Sequence, residues 1–496
     1  MVGKTKNEVL TNHIEKGPSM KSLKVLLVNP PSYYNISNYI PDYVSSKTGN
    51  LPPLGLLDIA TYLKKNTDHS VHIYDALIHN ISYNEVADIT AHYDVVGITT
   101  MTFTLIDVIN QVKAIRRINT DIPIVLGGPH IAIYPEESIK IPGITYCLSG
   151  EAEISFTQLI NALAENIDFD KNNIPGLYWR VGEKFGFNET QKKYINIDLL
   201  PLPDRSLLEY KLYKSLLSSN QKASHYVTTA FSSRGCPFKC IFCDRPHLGK
   251  QFRAKSARQV VEEIESCVDL NIKEVFFYDD TFTVNKERVM EICETLIHKN
   301  IEIQWDIRAR VDTVDLSMLS LMKKAGCKRI HFGVEAANAE MMKVLKKGIT
   351  KEQAINAFKS AKKVGIETLG YFMFGCPNET HSQMIETLDF ALQLKPDFAH
   401  FAILTPFPGT PLYKECLEKG LFEDDYWRDF ASDPTKKFIP RYLPNTLPGE
   451  ELIELLNLAY KKFYLNPFYL AKQTLKVNSL ADLKTKIGVA KRIFCG

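Results

Sequence analysis

The sequence predicts an α/β protein in three parts: a doubly wound parallel-sheet domain over 24–160, a partial barrel of six βα units within 223–420, and a helical C-terminal region over 421–496. Three observations carry this reading. Short apolar runs alternate with amphipathic stretches between 24 and 160, and the alternation resumes between 226 and 420. Most of the apolar runs are continuous, as expected of strands buried on both faces of a parallel sheet. The stretches between them repeat apolar residues three and four apart, the period of a helix laid on such a sheet.

Taken in order, residues 1–23 are polar and slightly basic, without the apolar core of a signal peptide, so a cytoplasmic protein is expected. "KVLLVNPP" (24–31), "VHIYDALI" (71–78), "DVVGITTMT" (94–102), "PIVLGGPHI" (123–131) and "YCLSGEAE" (146–153) read as strands running into loops. Helical patterns at 54–66 and 104–119 separate them. Ligands of such sheets bind beyond the carboxyl ends of the strands. Gly127 and Gly128 at one such end would let a large flat ligand approach the backbone. Residues 161–222 are less regular and read as a linker. The second alternation gives strands at 226–233, 274–279, 303–309, 329–334, 367–374 and 398–405, with helices at 256–270, 286–299 and 381–394 among those between. Six units fall short of the eight that close a barrel, which leaves it open.

Composition narrows the function. With 60 basic and 57 acidic residues the net charge is +3, which gives no argument for nucleic acid. No run approaches the roughly 20 apolar residues that span a membrane. The ten cysteines of a cytosolic chain stay reduced, so a clustered trio points to metal binding or catalysis. That trio is "CPFKCIFC": Cys236, Cys240 and Cys243, just after the first barrel strand. Barrels build their sites at that end. Four readings are open. His247 could complete a structural zinc site, Cys240 and Cys243 could form a redox pair, and buried thiols can cluster by chance. The fourth is an iron–sulfur cubane, which normally takes four thiolates and with three keeps one iron free to bind a substrate.

CxxxCxxC in this place resembles the radical S-adenosylmethionine (SAM) superfamily. "FYDDTFT" (277–283), "WDIRARVD" (305–312), "HFGVEAAN" (331–338), "FGCPNET" (374–380) and "TPFPGTPLY" (405–413) agree in order with its strand-end loops. The resemblance implies a [4Fe-4S] cluster on the three cysteines. SAM would bind the open iron and be cleaved to a 5′-deoxyadenosyl radical. It further implies that Phe242 packs near the adenine, that the Asp279–Asp280 segment meets the SAM amino group, and that Arg310 and Glu335 contact SAM. The sheet domain ahead of the barrel is similar to the cobalamin-binding class of these enzymes, within the group of the anaerobic magnesium-protoporphyrin cyclase and hopanoid biosynthesis. That likeness implies cobalamin contacts at Thr99, Thr100, Gly127, Gly128, Gly150 and Glu151, although Ala152 breaks the class's usual GEGE. Where many cobalamin proteins carry D-x-H-x-x-G, this chain has Asp75, Leu77 and Asn80, with His79 two places late, so no histidine is expected on cobalt.

Other residues have plainer readings. Arg308 reads as a structural or solvated group, Cys376 as a buried thiol or a radical relay, and His130 as a loop histidine or a cofactor contact. The aromatics of "YKKFYLNPFYL" (460–470) pack on the barrel or, with nearby lysines, lie at a membrane interface; Pro467 should divide the helix. The expectation is an enzyme that methylates or cyclises an unactivated carbon of a lipid-like or tetrapyrrole-like small molecule. It would draw electrons from a flavodoxin- or ferredoxin-type donor, with peripheral membrane contact as an accompanying expectation. The alternatives are a tRNA methylthiotransferase, which would want more cysteines than the single Cys147 before the trio, and a non-enzymatic cobalamin- or zinc-binding regulator.

Overall fold

A computed structural model describes residues 21–36, 39, 41, 49–165, 171–190, 194–215, 225–244, 249–475 and 488. Five strands of the first domain, β1 (Lys24–Asn29), β2 (Ser70–Asp75), β3 (Val95–Thr99), β4 (Ile124–Gly127) and β5 (Tyr146–Leu148), pair in parallel in the order β2-β1-β3-β4-β5. Burial on both faces explains their continuous apolar runs: Val25, Leu26, Leu27 and Val28 are all buried. Helices α1 (Leu54–Asn66) and α2 (Leu105–Ile118) follow the predicted periodicity and pack on the sheet, joined by α3 (Glu153–Glu165), which runs into the stretch expected as a linker. The order reverses between β1 and β3, and a crevice opens there beyond the carboxyl ends. The stretch expected as a linker does more than connect. Its hairpin, β6 (Leu177–Val181) and β7 (Lys184–Phe187), extends the first sheet antiparallel from β5.

The second sheet has six parallel strands in chain order: β8 (Tyr226–Ala230), β9 (Ile272–Phe277), β10 (Gln304–Ala309), β11 (Cys327–Glu335), β12 (Glu367–Phe374) and β13 (Phe398–Ile403). Helices α4 (Ala257–Asp269), α5 (Lys286–His298), α6 (Leu316–Lys324), α7 (Lys351–Val364) and α8 (His381–Leu394) cover its outer face. Their ends are locally encoded. Thr350 with Gln353 and Thr380 with Gln383 form capping boxes at α7 and α8, and Gly365 ends α7 in the left-handed conformation.

An open barrel has two edges, and each is covered. At β8, Arg205 from the 161–222 stretch is buried, bonding Thr228 Oγ1 (3.1 Å), the Thr229 carbonyl (2.8 Å) and Glu263 (2.6 Å). At β13, helix α9 (Gly449–Tyr464) lays two tyrosines on the exposed edge. The Tyr460 hydroxyl donates to the Phe401 carbonyl (3.0 Å) and accepts from its N–H (3.2 Å). Tyr464 repeats the pattern on Ala399 at 2.7 and 3.1 Å. These tyrosines, with Phe463, therefore pack on the barrel rather than forming a lipid-facing stripe. The helix ends at Tyr464 and a new one starts at Pro467, which lacks the N–H to continue it. No helix among the described residues is long and apolar enough to cross a membrane.

One apolar core joins the two domains: Ile36, Ile131 and Tyr134 belong to the same buried cluster as Ile241, Leu404 and Trp427. Replacing both Tyr460 and Tyr464 by phenylalanine is expected to destabilise the barrel edge by about 2–4 kcal/mol, at roughly 1 kcal/mol per lost hydrogen bond. Hydrogen exchange would show it as faster exchange confined first to residues 398–403.

Candidate functional site

The cysteine loop begins where β8 ends, and it is anchored before the first thiol is reached. Asp279, fully buried just past β9, accepts from the Ser232 N–H (2.7 Å), the Ser232 hydroxyl (2.6 Å) and the Ser233 hydroxyl. Its side chain is thus committed to the loop. Arg288 on α5 holds the same turn, donating to the carbonyls of Ser232 (2.8 Å) and Lys255 (2.7 Å). Gly235 then takes φ +82°, a left-handed turn that suits glycine, and the chain enters Cys236. Further on, the Ile241 N–H donates to the Leu345 carbonyl (3.1 Å) and the Leu412 N–H to the Ile241 carbonyl (2.9 Å). The loops after β11 and β13 therefore fix its middle.

Cys240 is buried, while Cys236 and Cys243 are half-buried. Burial raises the pKa of Cys236 and pushes Cys243 up to about 12; the Asp280 carboxylate and the neighbouring sulfurs add to both shifts. No three His, Cys, Asp or Glu side chains among the described residues are drawn together at metal-holding distance. His247 lies outside the described residues. Three cysteines on a backbone held before its first thiol and again at Ile241, two of them half-buried, suit a three-thiolate cubane with an open fourth position.

Around this loop the structure gathers the residues predicted from the strand ends. The Arg310 guanidinium stacks 3.9 Å from the Phe238 ring centroid, with Nη1 3.9 Å from Cys240 Sγ. Asp312 holds it by two bonds of 2.9 Å, and the Lys347 carbonyl takes a third at 2.7 Å. Glu335 pairs with Lys347 Nζ at 2.8 Å, both buried, and the same ammonium lies 5.9 Å from the Phe242 ring. Glu335 sits at φ +72°, beside a register shift between Gly333 and Glu335. A non-glycine residue in that region costs of order 1 kcal/mol or more, and such strain concentrates at functional sites. Sequence reasoning missed Lys347. In "KVLKKGIT" it resembles any solvated lysine, and only the preceding glutamate's position across the strand end reveals its partner.

The first domain's candidates divide. Gly127 faces open space: a Cβ there would meet only the Leu148 carbonyl, at 4.0 Å. Gly128, at φ +103°, does not. A Cβ there would sit 2.8 Å from the Thr100 carbonyl and 3.2 Å from Thr99 Oγ1. Gly128 is therefore small to let its own chain pass. Thr100 is buried, and its N–H donates to the Gly127 carbonyl (2.7 Å). His130 is buried, bonds Thr102 Oγ1 at 3.0 Å, and is held neutral with its pKa pushed down to about 3 by burial. His79 is occupied by Glu209 (3.2 Å) and by stacking on Tyr74. Asp75 takes bonds from Asn29, the Leu77 N–H and Tyr213.

"SGEAE" meets the cysteine loop directly. Arg234, two residues before Cys236, reaches Asp58 of α1 (3.0 Å), Glu151 (3.2 Å) and Glu153 of α3 (2.5 Å). Arg253, paired with Arg234 across a short ribbon, grips Glu151 through two bonds of 2.8 Å. Gly150 turns at φ +93° to present these carboxylates. Glu151 and Glu153 thus join the domains. Elsewhere Phe103, after β3, packs edge-on against Phe407 after β13, and Gly409 lies against Ile133 and Asp244. The carboxyl ends of both sheets converge on one seam.

Comparison with known proteins matches that arrangement. Residues 41–160 fit the B12 binding domain and residues 231–391 the Radical SAM superfamily. Over 91% of this chain and 95% of its own length, a protein of Pyrococcus horikoshii named as an uncharacterized methyltransferase is 34% identical. The chain belongs to the B12-binding radical SAM enzymes. The cofactors of that family, a [4Fe-4S] cluster, SAM and cobalamin, are therefore its cofactors, and its chemistry is of the methyltransferase or cyclase type. The anaerobic magnesium-protoporphyrin IX monomethyl ester cyclase of Rubrivivax gelatinosus is 28% identical over 85% of this chain and 75% of that protein. The radical SAM methyltransferase TsrM of Kitasatospora setae superposes with a TM-score of 0.75 at 18% identity, covering 95% of this chain and 99% of TsrM. The cobalamin-dependent enzyme OxsB gives 0.72 at 19%, covering 96% of this chain and 72% of OxsB. These two likenesses are of fold.

Two measurements check the electrostatics of the site. Burial raises Asp58 to about 6 from 3.8, against the pull of Arg234, so its protonated form is favoured on folding. It therefore removes stability as pH rises from about 4 through 6. Burial also opposes charge on Glu151, but the Arg253 and Arg234 guanidinium groups outweigh it and hold the carboxyl below its usual range. Its contribution is full above the ordinary carboxylate range and is lost as pH falls through the lowered value. Melting temperatures of wild type minus Asp58→Asn should fall between pH 4 and 7, whereas wild type minus Glu151→Gln should rise with pH over the acid range. Separately, Lys347→Met strands a buried carboxylate and should cost about 3–5 kcal/mol in chemical denaturation, partly restored by adding Glu335→Gln.

Proposed function

We propose that the chain is a cobalamin-dependent C-methyltransferase for a tetrapyrrole-like or other amphipathic small molecule, bound at the seam between the two sheets. The observation that carries this is the convergence of the two strand-end faces. Cys236–Cys243 and the loops after β3, β4 and β5 meet across contacts of Arg234 with Glu151, and of Phe103 with Phe407. A substrate there would be within reach of both cofactors, and holding reactants in register is what such a seam can contribute. When bound, the cluster with SAM supplies a carbon-centred radical, and cobalamin supplies a methyl group or redox capacity.

The chain's own residues have positioning work. Asp279 and Arg288 set the cysteine loop, and Arg310 packs against Cys240. Lys347 ties Arg310 to Glu335, at the strand end where SAM would lie. Phe242, beside the Lys347 ammonium, offers a ring to a purine face. The open space over Gly127 is the place for a cobalamin face to approach the backbone. Met101, 47% exposed, and Phe103 supply apolar surface beside it for a largely apolar substrate. The relative from Rubrivivax, named for a tetrapyrrole cyclase, keeps ring formation as the second reading. An external one-electron donor of flavodoxin or ferredoxin type would serve either. Contact with a membrane surface would rest on the exposed Phe468 and Leu470 rather than on the tyrosines of α9.

Anaerobic reconstitution with iron, sulfide, cobalamin and SAM tests the reading. Reduced protein should release 5′-deoxyadenosine, and the triple Cys236, Cys240 and Cys243 to alanine variant should hold no cluster and release none. With SAM labelled in its methyl group and tetrapyrrole or isoprenoid extracts as substrate, mass spectrometry should find the label in product. An unlabelled product two hydrogens lighter would establish cyclisation instead.

A further inference from the structure

The lumen of the barrel carries a cation that none of the roles above uses. Along β10, Trp305, Ile307 and Ala309 face the helices within the apolar core, so the alternation of a strand turns Asp306 and Arg308 inward. At the level of Asp306 each charged group of the lumen has a partner within the protein. Arg329 pairs with Asp306 at 3.0 Å and Glu367 at 2.8 Å, and His331 lies 3.7 Å from Asp306 with Nδ1 3.1 Å from the Tyr371 hydroxyl. On the neighbouring strand β9, Glu274 bonds His225 at 3.1 Å. Both carboxylates nearest the floor are thus engaged.

Arg308 stands one inward position closer to the mouth. Its guanidinium carbon lies 4.2 Å from the Tyr278 ring centroid, and its charge acts on Tyr278, Tyr371 and His331. Among the described residues it makes no ion pair and no hydrogen bond; its contacts are aromatic. The side chain is only part-exposed. A guanidinium is always charged and presents a planar fork of donors that matches a carboxylate or phosphate. Holding such a group in a half-desolvated lumen without an anion is costly, so its donors are left for one that arrives. The mouth carboxylate Glu335 is already taken by Lys347.

We infer that Arg308 is a substrate-binding residue that receives an anionic oxygen group, carboxylate or phosphate, of the molecule to be modified, with Tyr278 and Tyr371 flanking it. This rests on the seam-bound substrate proposed above and adds its polarity: an apolar body with one acidic arm reaching into the barrel. The α-carboxylate of SAM is the competing anion. Arg310, roughly 6–7 Å nearer the mouth by strand spacing, is the arginine beside the cysteine loop, which assigns Arg308 to the deeper ligand.

The test uses small aryl probes, so it does not depend on SAM cleavage, and its failure is separable from failure of the functional proposal. Saturation-transfer NMR on the full chain should detect benzoate or phenyl phosphate, with neutral benzamide at least tenfold weaker. Arg308→Gln should weaken the anion at least tenfold, Arg308→Lys should retain part of it, and melting temperature would verify that both variants fold. In reconstituted protein, SAM affinity by equilibrium dialysis should stay within twofold in both variants, and benzoate should not displace SAM. Anion binding unchanged in Arg308→Gln, benzamide bound as well as benzoate, or no probe bound by wild type would each overturn the inference. So would loss of SAM affinity in Arg308→Gln, which would place the SAM carboxylate on Arg308.

Discussion

Arg234 is buried against three carboxylates of the other domain, and two residues later the chain reaches its first cluster cysteine. A guanidinium withdrawn from water in that way is stable only while its anions stay in place. The position of the cysteine loop is therefore tied to the first domain's own loops, through Asp58, Glu151 and Glu153. The same ribbon carries Arg253, which doubles the hold on Glu151. Three acids around one arginine also leave the burial cost unevenly shared: Asp58 is pushed up, while Glu151, held by two guanidinium groups, goes down.

From that joint the site is built inward by groups that hold the cysteine loop. Asp279 spends its whole carboxylate on Ser232 and Ser233, and Arg288 spends its donors on two carbonyls of the same region. The consequence is a loop whose thiols are fixed in place while two of them stay reachable. Lys347 serves the facing wall similarly. Its carbonyl orients Arg310, and its ammonium neutralises Glu335 in a strained backbone position. Preorganised positions of this kind are what radical chemistry needs from a protein, since a misplaced reactive carbon attacks the wrong neighbour.

The open barrel has a cost at its edges, and here the chain meets it with side chains. Tyr460 and Tyr464 supply to β13 the donors and acceptors that a seventh strand would have supplied, while Arg205 crosses to β8. Leaving the barrel unclosed keeps its lumen wide enough to hold a row of polar groups, from Glu274 and Asp306 at the floor to Arg308 above them.

The two sheets, nearly all their strands and the position of the cysteine trio were legible in the sequence, because hydrophobic period and ligand spacing are local properties. α1 at 54–66 and α8 at 381–394 came out at their predicted ends, where proline or a capping box marks the boundary. What the sequence could not decide is how a side chain is used once the chain has folded. Gly127 and Gly128 are identical as letters, yet one faces space and the other its own backbone. Glu151 in a cofactor-like motif proved to be a partner of Arg234 and Arg253, residues more than 80 positions away. The aromatics near the C-terminus had the composition of an interfacial helix and the geometry of an edge cover. Lys347 and Arg308 looked like ordinary surface cations, and only burial separates the one that is paired from the one that is not. In each case the deciding quantity is which distant group lies opposite, and that is a property of the tertiary structure alone.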